Sequence, residues 1–209
     1  MRRSRLARAV SRVLQTVVAG IFGYGVVTRN PSLVVNGFMG LAVTFLPGVL
    51  ERDLRVPLGP LLTLWITVAV FLHSIGMLGL YEVIWWYDHL THAVSAALAA
   101  GSGYATVRAI DLHYDEVYLP PKFLFVFVLL FTLAFGVLWE VGEFAARLWA
   151  TATGRTAVLV IYGIEDTMLD LVFDAVGALL VALFGTPWFE GVVQGLSRRL
   201  GGSDGASGE

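Results

Sequence analysis

Eight ionisable side chains stand in stretches of sequence that are otherwise apolar: His73, Asp88, His92, Glu140, Glu143, Asp166, Asp170 and Asp174. Their spacing is helical. Asp88 and His92 are i, i+4, Glu140 and Glu143 are i, i+3, and Asp166, Asp170 and Asp174 form an i, i+4, i+8 row. Each set therefore shares one helix face. Six carboxylates cannot all stay ionised in a low-dielectric pocket unless protons or divalent cations neutralise them. Oxygen ligands joined by one or two imidazoles suit a divalent metal ion such as Zn, Mn, Fe or Mg. The expected metal ligands are His92, Glu140, Asp170 and Asp174, with His73 and Asp166 beside them. Glu143 or Asp88 is the expected general base.

The elements that must position these groups are membrane spans. The chain has 209 residues, of which 57% are hydrophobic and 14% charged, and its mean hydropathy is +0.76. A soluble domain carries about 25% charged residues, and a globule of this size has too little interior to hide so much apolar surface. Lipid is the solvent that accepts it. The net charge of −2 gives no nucleic-acid footprint. With no cysteine, thiolate metal sites and cysteine nucleophiles are excluded.

Windows of about 20 apolar residues predict an all-α, polytopic transmembrane bundle, a single domain over 1–200, with six spans at 10–28, 31–50, 58–80, 88–110, 123–149 and 166–185. Residues 201–209 read as a disordered tail, Pro187 to Leu200 as a helix on the membrane surface, and Ala157 to Ile164 as a stretch too short to span. The basic run Arg2, Arg3, Arg5, Arg8 and Arg12 is expected to precede an anchor and not a cleaved signal, since the apolar run shows no clear small-x-small cleavage site and leads into further spans. With the N-terminus inside, eleven Lys and Arg fall on the inner side and only Arg29, Arg147 and Arg155 on the outer. The positive-inside rule then expects both termini in the cytoplasm and the chain in the cytoplasmic (inner) membrane. At ~1.5 Å per residue across a ~30 Å core, His73, His92, Glu140, Asp170 and Asp174 reach one layer in the outer half.

Plainer roles exist for single residues. Asp88 and Asp166 stand where helices begin and could be N-caps; Glu143 and Arg147 are spaced for an ion pair; His73 could be a neutral core histidine. His89 points about 100° away from Asp88, which gives it an interfacial role, and Asp111, His113, Asp115 and Glu116 are expected in a solvated inner loop. Caps and solvation do not account for His92, Glu140, Asp170 and Asp174 together, because these lie within the spans.

Residues Asp88 to Leu98 and Asp170 to Leu180 match at five of eleven positions, and the alignment pairs His92 with Asp174. Each segment follows a span that ends in polar groups, which predicts two helical hairpins related by a pseudo-twofold along the membrane normal. Ser95, Ala99, Gly103, Gly177 and Ala178 are the small residues expected to let those helices approach closely.

On Leu72-His73, Tyr87-Asp88-x-x-x-His92, Trp139-Glu140-x-x-Glu143 and Asp166-Thr-Met-x-Asp170-Leu-x-x-Asp174-x-x-Gly177-Ala178, the chain resembles the YjdF-like inner-membrane proteins over nearly its whole length. That resemblance implies a fold and carries no reaction. A second likeness is to VanZ-like proteins, which carry Asp-x-x-x-His, Glu-x-x-Gln and Asp-x-x-x-Asn-x-x-Gly in the same order. Here Glu143 and Asp174 replace the Gln and Asn, making the site more acidic and favouring a cation. This likeness implies a cell-envelope context.

Three functions compete. A metal-assisted enzyme would act on a membrane lipid or a lipid-like envelope substrate at the outer leaflet. A proton- or cation-coupled transporter would use the same carboxylates as carriers, but only Asn36 and Thr67 offer polar groups for a path beyond the layer. A non-catalytic module would use the cluster to hold the bundle together. No nucleophilic triad, phosphate loop or nucleotide signature is present.

Overall fold

Proline and glycine set the helix boundaries. In the computed structural model, which describes residues 2–53, 55–159 and 163–204, α1 spans Arg2–Val27, α2 Pro31–Asp53, α3 Gly59–Ile75, α4 the single turn Tyr81–Val83, α5 Tyr87–His113, α6 Pro121–Thr153, α7 Ile164–Leu180 and α8 Thr186–Asp204. Pro121 opens α6 at the position where a missing N–H costs nothing, and Gly154 closes it in the left-handed conformation (φ 67°) that returns amides to the last carbonyls. The described residues form no strand. Wide π-helical turns at Gly76–Leu80 and Val181–Gly185 follow α3 and α7.

Five helical stretches are long and apolar enough to cross a membrane: Arg2–Val27, Pro31–Asp53, Gly59–Val83, Pro121–Thr153 and Ile164–Gly185. The expected span 88–110 is a helix of ample length, α5, but falls short of that composition. Its place explains why. It packs against α3, α6, α7 and α8, so most of its surface meets protein instead of lipid. Its buried positions are mainly Ala, Gly and Thr, which let neighbouring backbones close in. The molecule is inverted relative to a soluble protein: Phe38, Leu130, Leu138 and Phe184 are exposed, while Glu140, Asp170 and Asp174 are buried.

Two groups of helices result. α1, α2 and α3 pack on one another, and α5, α6, α7 and α8 form the second group, joined to the first mainly along α3 and α5. α5 and α7 run parallel in close contact: a Cβ on Gly177 would strike the Ala93 carbonyl oxygen, and Ala178 is fully buried. The other small residues expected at this contact serve elsewhere. Gly103 lies under Phe131 of α6, while Ser95 and Ala99 face a cavity.

The helix over Pro187 to Leu200 forms, but as part of α8 its apolar side turns inward. Phe189 covers Gly101 and tilts against Trp65, and Gly195 meets Pro57. Of the tail, Gly201–Asp204 continues α8 and 205–209 lie outside the described residues. Asp111 also departs from expectation. It belongs to α5, has a buried side chain, pairs with Arg108 and accepts the Leu119 amide at 2.7 Å, because the chain folds back ahead of Pro120 and that amide needs a partner. Asp115 and Glu116 are exposed as anticipated.

Candidate metal centre

Helices α5 and α7 bring their polar rows together because they run parallel and in register. His92 Nδ1–H donates to Asp174 Oδ1 at 3.3 Å, so the two positions that the internal alignment pairs meet across the helix contact. The other imidazole nitrogen, Nε2, faces Asp88 Oδ1 at 3.8 Å and Asp170 Oδ2 at 3.9 Å. These separations are too long for hydrogen bonds. They exceed by only about 0.4 Å the ligand–ligand edge of a tetrahedron with ~2.1 Å metal bonds. Asp88, His92 and Asp170 thus offer three ligand atoms, within 4.8 Å of one another, that could hold one cation. A metal-bound histidine commonly donates its second N–H to a carboxylate, which fixes its tautomer and ring plane; Asp174 stands in that place.

A second group of possible ligands comprises His89, Asp166 and Asp170, so Asp170 belongs to both. His89 was expected at the interface, but only 4% of it is exposed; it donates to Asp170 at 3.0 Å and stacks on Phe173 with ring centroids 5.0 Å apart. The reading failed because α5 has neighbours on more than one side: the direction 100° from Asp88 points into α7, not lipid. Neither Asp88 nor Asp166 caps its helix; Trp86 and Gly163 hold those positions, with no side-chain cap bond.

Glu140 is 7% exposed. Its Oε2 accepts from Thr167, and its Oε1 is buried without any hydrogen-bond partner. An orphaned carboxylate oxygen in a protein interior is costly unless a ligand satisfies it. Glu143 accepts from the Trp139 indole at 3.1 Å and pairs with no cation; Arg147, its expected partner, lies over the Phe144 ring instead. Among the described residues, no Lys or Arg forms an ion pair with any carboxylate of this layer.

His73 lies outside both ligand groups and anchors a separate relay. Tyr81 Oη donates to His73 Nδ1 at 3.0 Å, His73 Nε2–H donates to Asn36 Oδ1 at 3.3 Å, and Asn36 Nδ2 donates to the Val158 carbonyl at 2.7 Å. Trp139 meets the His73 ring edge-on at 6.2 Å. The stretch Ala157 to Ile164, whose 160–162 lie outside the described residues, is tied here to α2, with Ser32 donating to the same Val158 carbonyl. The Trp85-Trp86-Tyr87 cluster divides: Trp85 and Trp86 are exposed, while Tyr87 is buried and donates to the Leu72 carbonyl. Spacing gave no signal for Asn36, Tyr81 or His89 as members of the site.

His73, Tyr81, Asp88, His92, Glu143 and Asp174 share one cavity of about 420 Å³, whose far side is apolar. The polar layer therefore has an approach, and the acids that face it are partnered by imidazole, indole and hydroxyl groups alone.

Residues 10–191 match the family described as "Predicted membrane protein (DUF2238)". The chain belongs to that family. It is also 31% identical over 144 residues to an "Uncharacterized protein" of Thermotoga maritima, an alignment covering 66% of this chain and 68% of that one. No solved structure matches it. These findings agree with the membrane-embedded helical fold and assign no reaction, so function rests on the geometry above.

Proposed function

We propose that this DUF2238 membrane protein holds a divalent cation between Asp88, His92 and Asp170 and uses it in chemistry on a lipid or lipid-like envelope substrate. One observation carries the reading: His92 is held by Asp174 through one ring nitrogen while the other faces two carboxylate oxygens at metal-spanning, not hydrogen-bonding, distances. Buried Glu140, with its orphaned oxygen, adds support. The adjoining group His89, Asp166 and Asp170 would offer ligands to a second cation, and paired cations would supply the charge that stabilises attacking and leaving oxygens in hydrolytic chemistry. A bound cation polarises an ester or phosphoryl oxygen and lowers the pKa of water. Glu143, which lines the cavity and forms no ion pair with Lys or Arg, would take the proton.

The motif likeness to YjdF-like proteins and the balance of basic residues support a cytoplasmic membrane with the polar layer in its outer half. The transporter reading gains nothing from the fold. Among the described residues, the buried hydroxyls deeper in the bundle, Ser11, Thr44, Thr67 and Thr132, donate to their own helix backbones, and Asn36 belongs to the His73 relay.

Elemental analysis tests the cation. Wild-type protein purified with Mn²⁺ and desalted is expected to retain one or two equivalents, and Asp170→Asn, which touches both ligand groups, to retain none. Equal metal in both proteins overturns the assignment.

A further inference from the structure

The cavity beside the cation ligands is a cleft between the two helix groups. One wall comes from α2 and α3, the other from α6, and α5 forms its floor. α2 and α6 are not packed together, although both border it. Met39 of α2 and Phe135 of α6, on the two rims, are 57% and 56% exposed. In a bundle whose outer surface is lipid-facing, rims of this kind open sideways into the bilayer.

The interior has two ends. Asp88, His92 and Glu143 stand at the polar one, and the rest is walled by side chains such as Val43, Ile66, Val70 and Leu98. Among the described residues, no Lys or Arg lines it. An anionic headgroup is therefore admitted only through a cation, and a hydrocarbon chain is the occupant that matches the apolar walls. Hard divalent cations held by one or two carboxylates commonly complete their coordination with substrate phosphate. Asp88 and His92 line the cleft, so a cation held by them would be reached from it.

We propose that the cleft receives a phosphate-headed membrane lipid sideways between α2 and α6, its chain along the apolar wall and its phosphate on the cation held by Asp88, His92 and Asp170. This rests on the cation reading above for the headgroup, and on the shape of the cleft for the chain.

The test uses the full chain in detergent, with Mn²⁺ or with a chelator. The probes are dioleoyl phosphatidic acid, dioleoylglycerol and inorganic phosphate, read by native mass spectrometry and by the Mn²⁺ electron spin resonance spectrum. Phosphatidic acid is expected to bind at least tenfold more tightly with Mn²⁺ than with chelator, and at least tenfold more tightly than either dioleoylglycerol or free phosphate. Ala99→Phe and Val43→Trp, which grow into the cleft, should each weaken phosphatidic acid at least tenfold while changing Mn²⁺ affinity less than twofold; two variants on different helices guard against misfolding of one. Unchanged phosphatidic acid binding in both filled variants, with Mn²⁺ still bound, overturns the lipid cleft and leaves the cation site standing. Free phosphate binding as tightly as phosphatidic acid overturns it too. A wild type that takes up no Mn²⁺ overturns the cation reading and with it the phosphate assignment.

Discussion

Replacing Asp170 by Asn separates a metal centre from a set of crowded acids, because the two predict opposite effects. Asp170 is 3% exposed, accepts from His89 and belongs to both candidate ligand groups. Asn keeps the size and an acceptor oxygen for His89. What it removes is one charge and one ligand oxygen. Without cation, exchanging a charge-assisted hydrogen bond for a neutral one costs about 1 kcal/mol, and relief of repulsion with the neighbouring acids opposes that cost. With free cation at about 100 times its Kd, the wild type gains ~2.7 kcal/mol that the variant lacks. For a chain of this length that gain corresponds to roughly 5–11 °C in Tm. The assay is thermal unfolding in detergent, wild type beside Asp170→Asn, each with Mn²⁺ and with chelator. The expected result is a variant that melts well below wild type in Mn²⁺ and close to it in chelator. Crowded acids without a metal would instead be relieved by the substitution. An Asp170→Asn protein that melts above wild type in both buffers refutes the cation site.

Other substitutions test the packing and the placement in the membrane. Gly136→Ala should destabilise the protein in thermal melts even though it favours helix by about 1 kcal/mol, since its Cβ would strike Asp174 Oδ2; in an Asp174→Ala background the same change should be neutral or stabilising. Gly177→Leu should cost about 1–3 kcal/mol in the same assay by forcing α7 away from the Ala93 carbonyl. Asn36→Leu, which leaves the Val158 carbonyl with one donor fewer and His73 without its acceptor, should raise hydrogen exchange around residues 155–159. Because the chain has no cysteine, single cysteines report topology cleanly: a membrane-impermeant maleimide on intact cells should label Arg155→Cys and spare Asp115→Cys, and the reverse pattern refutes the proposed orientation.

Much of the fold was legible because lipid imposes a simple rule. Long apolar runs broken by Arg29-Asn30-Pro31, Glu51-Arg52-Asp53 and Pro120-Pro121 could only be helices crossing a hydrocarbon layer, and the observed boundaries lie within a few residues of those expected except at the start of α1, which begins at Arg2 and not at residue 10. The rule weakens for a helix that touches little lipid. α5 is recognisable by its length and by its alignment with α7, while its composition reports what it packs against. The path of α8 was not legible either: Phe189 and Val193 would suit a membrane surface or a neighbouring helix equally, and only the bare backbone at Gly101 decides for the helix.

The same reasoning divides the site. Residues joined by helical spacing, Asp88 with His92 and Asp170 with Asp174, were readable as shared faces, and the repeat marked His92 and Asp174 as equivalent positions, which the structure brings into contact. Residues joined only by the packing of one helix on another were not. His89 is one position from Asp88 in sequence and belongs to a second group of ligands through Asp170, a relation that needs the rotation of α5 against α7. Asn36 and Tyr81 reach His73 from α2 and α4, and no periodicity connects those three helices. Sequence spacing therefore exposes the acids that share a helix, whereas chemistry depends on which acids share a point in space. Asp170 is where the two criteria coincide: it continues the row of α7, and it is the residue through which His89 and His92 on α5 become neighbours of one site.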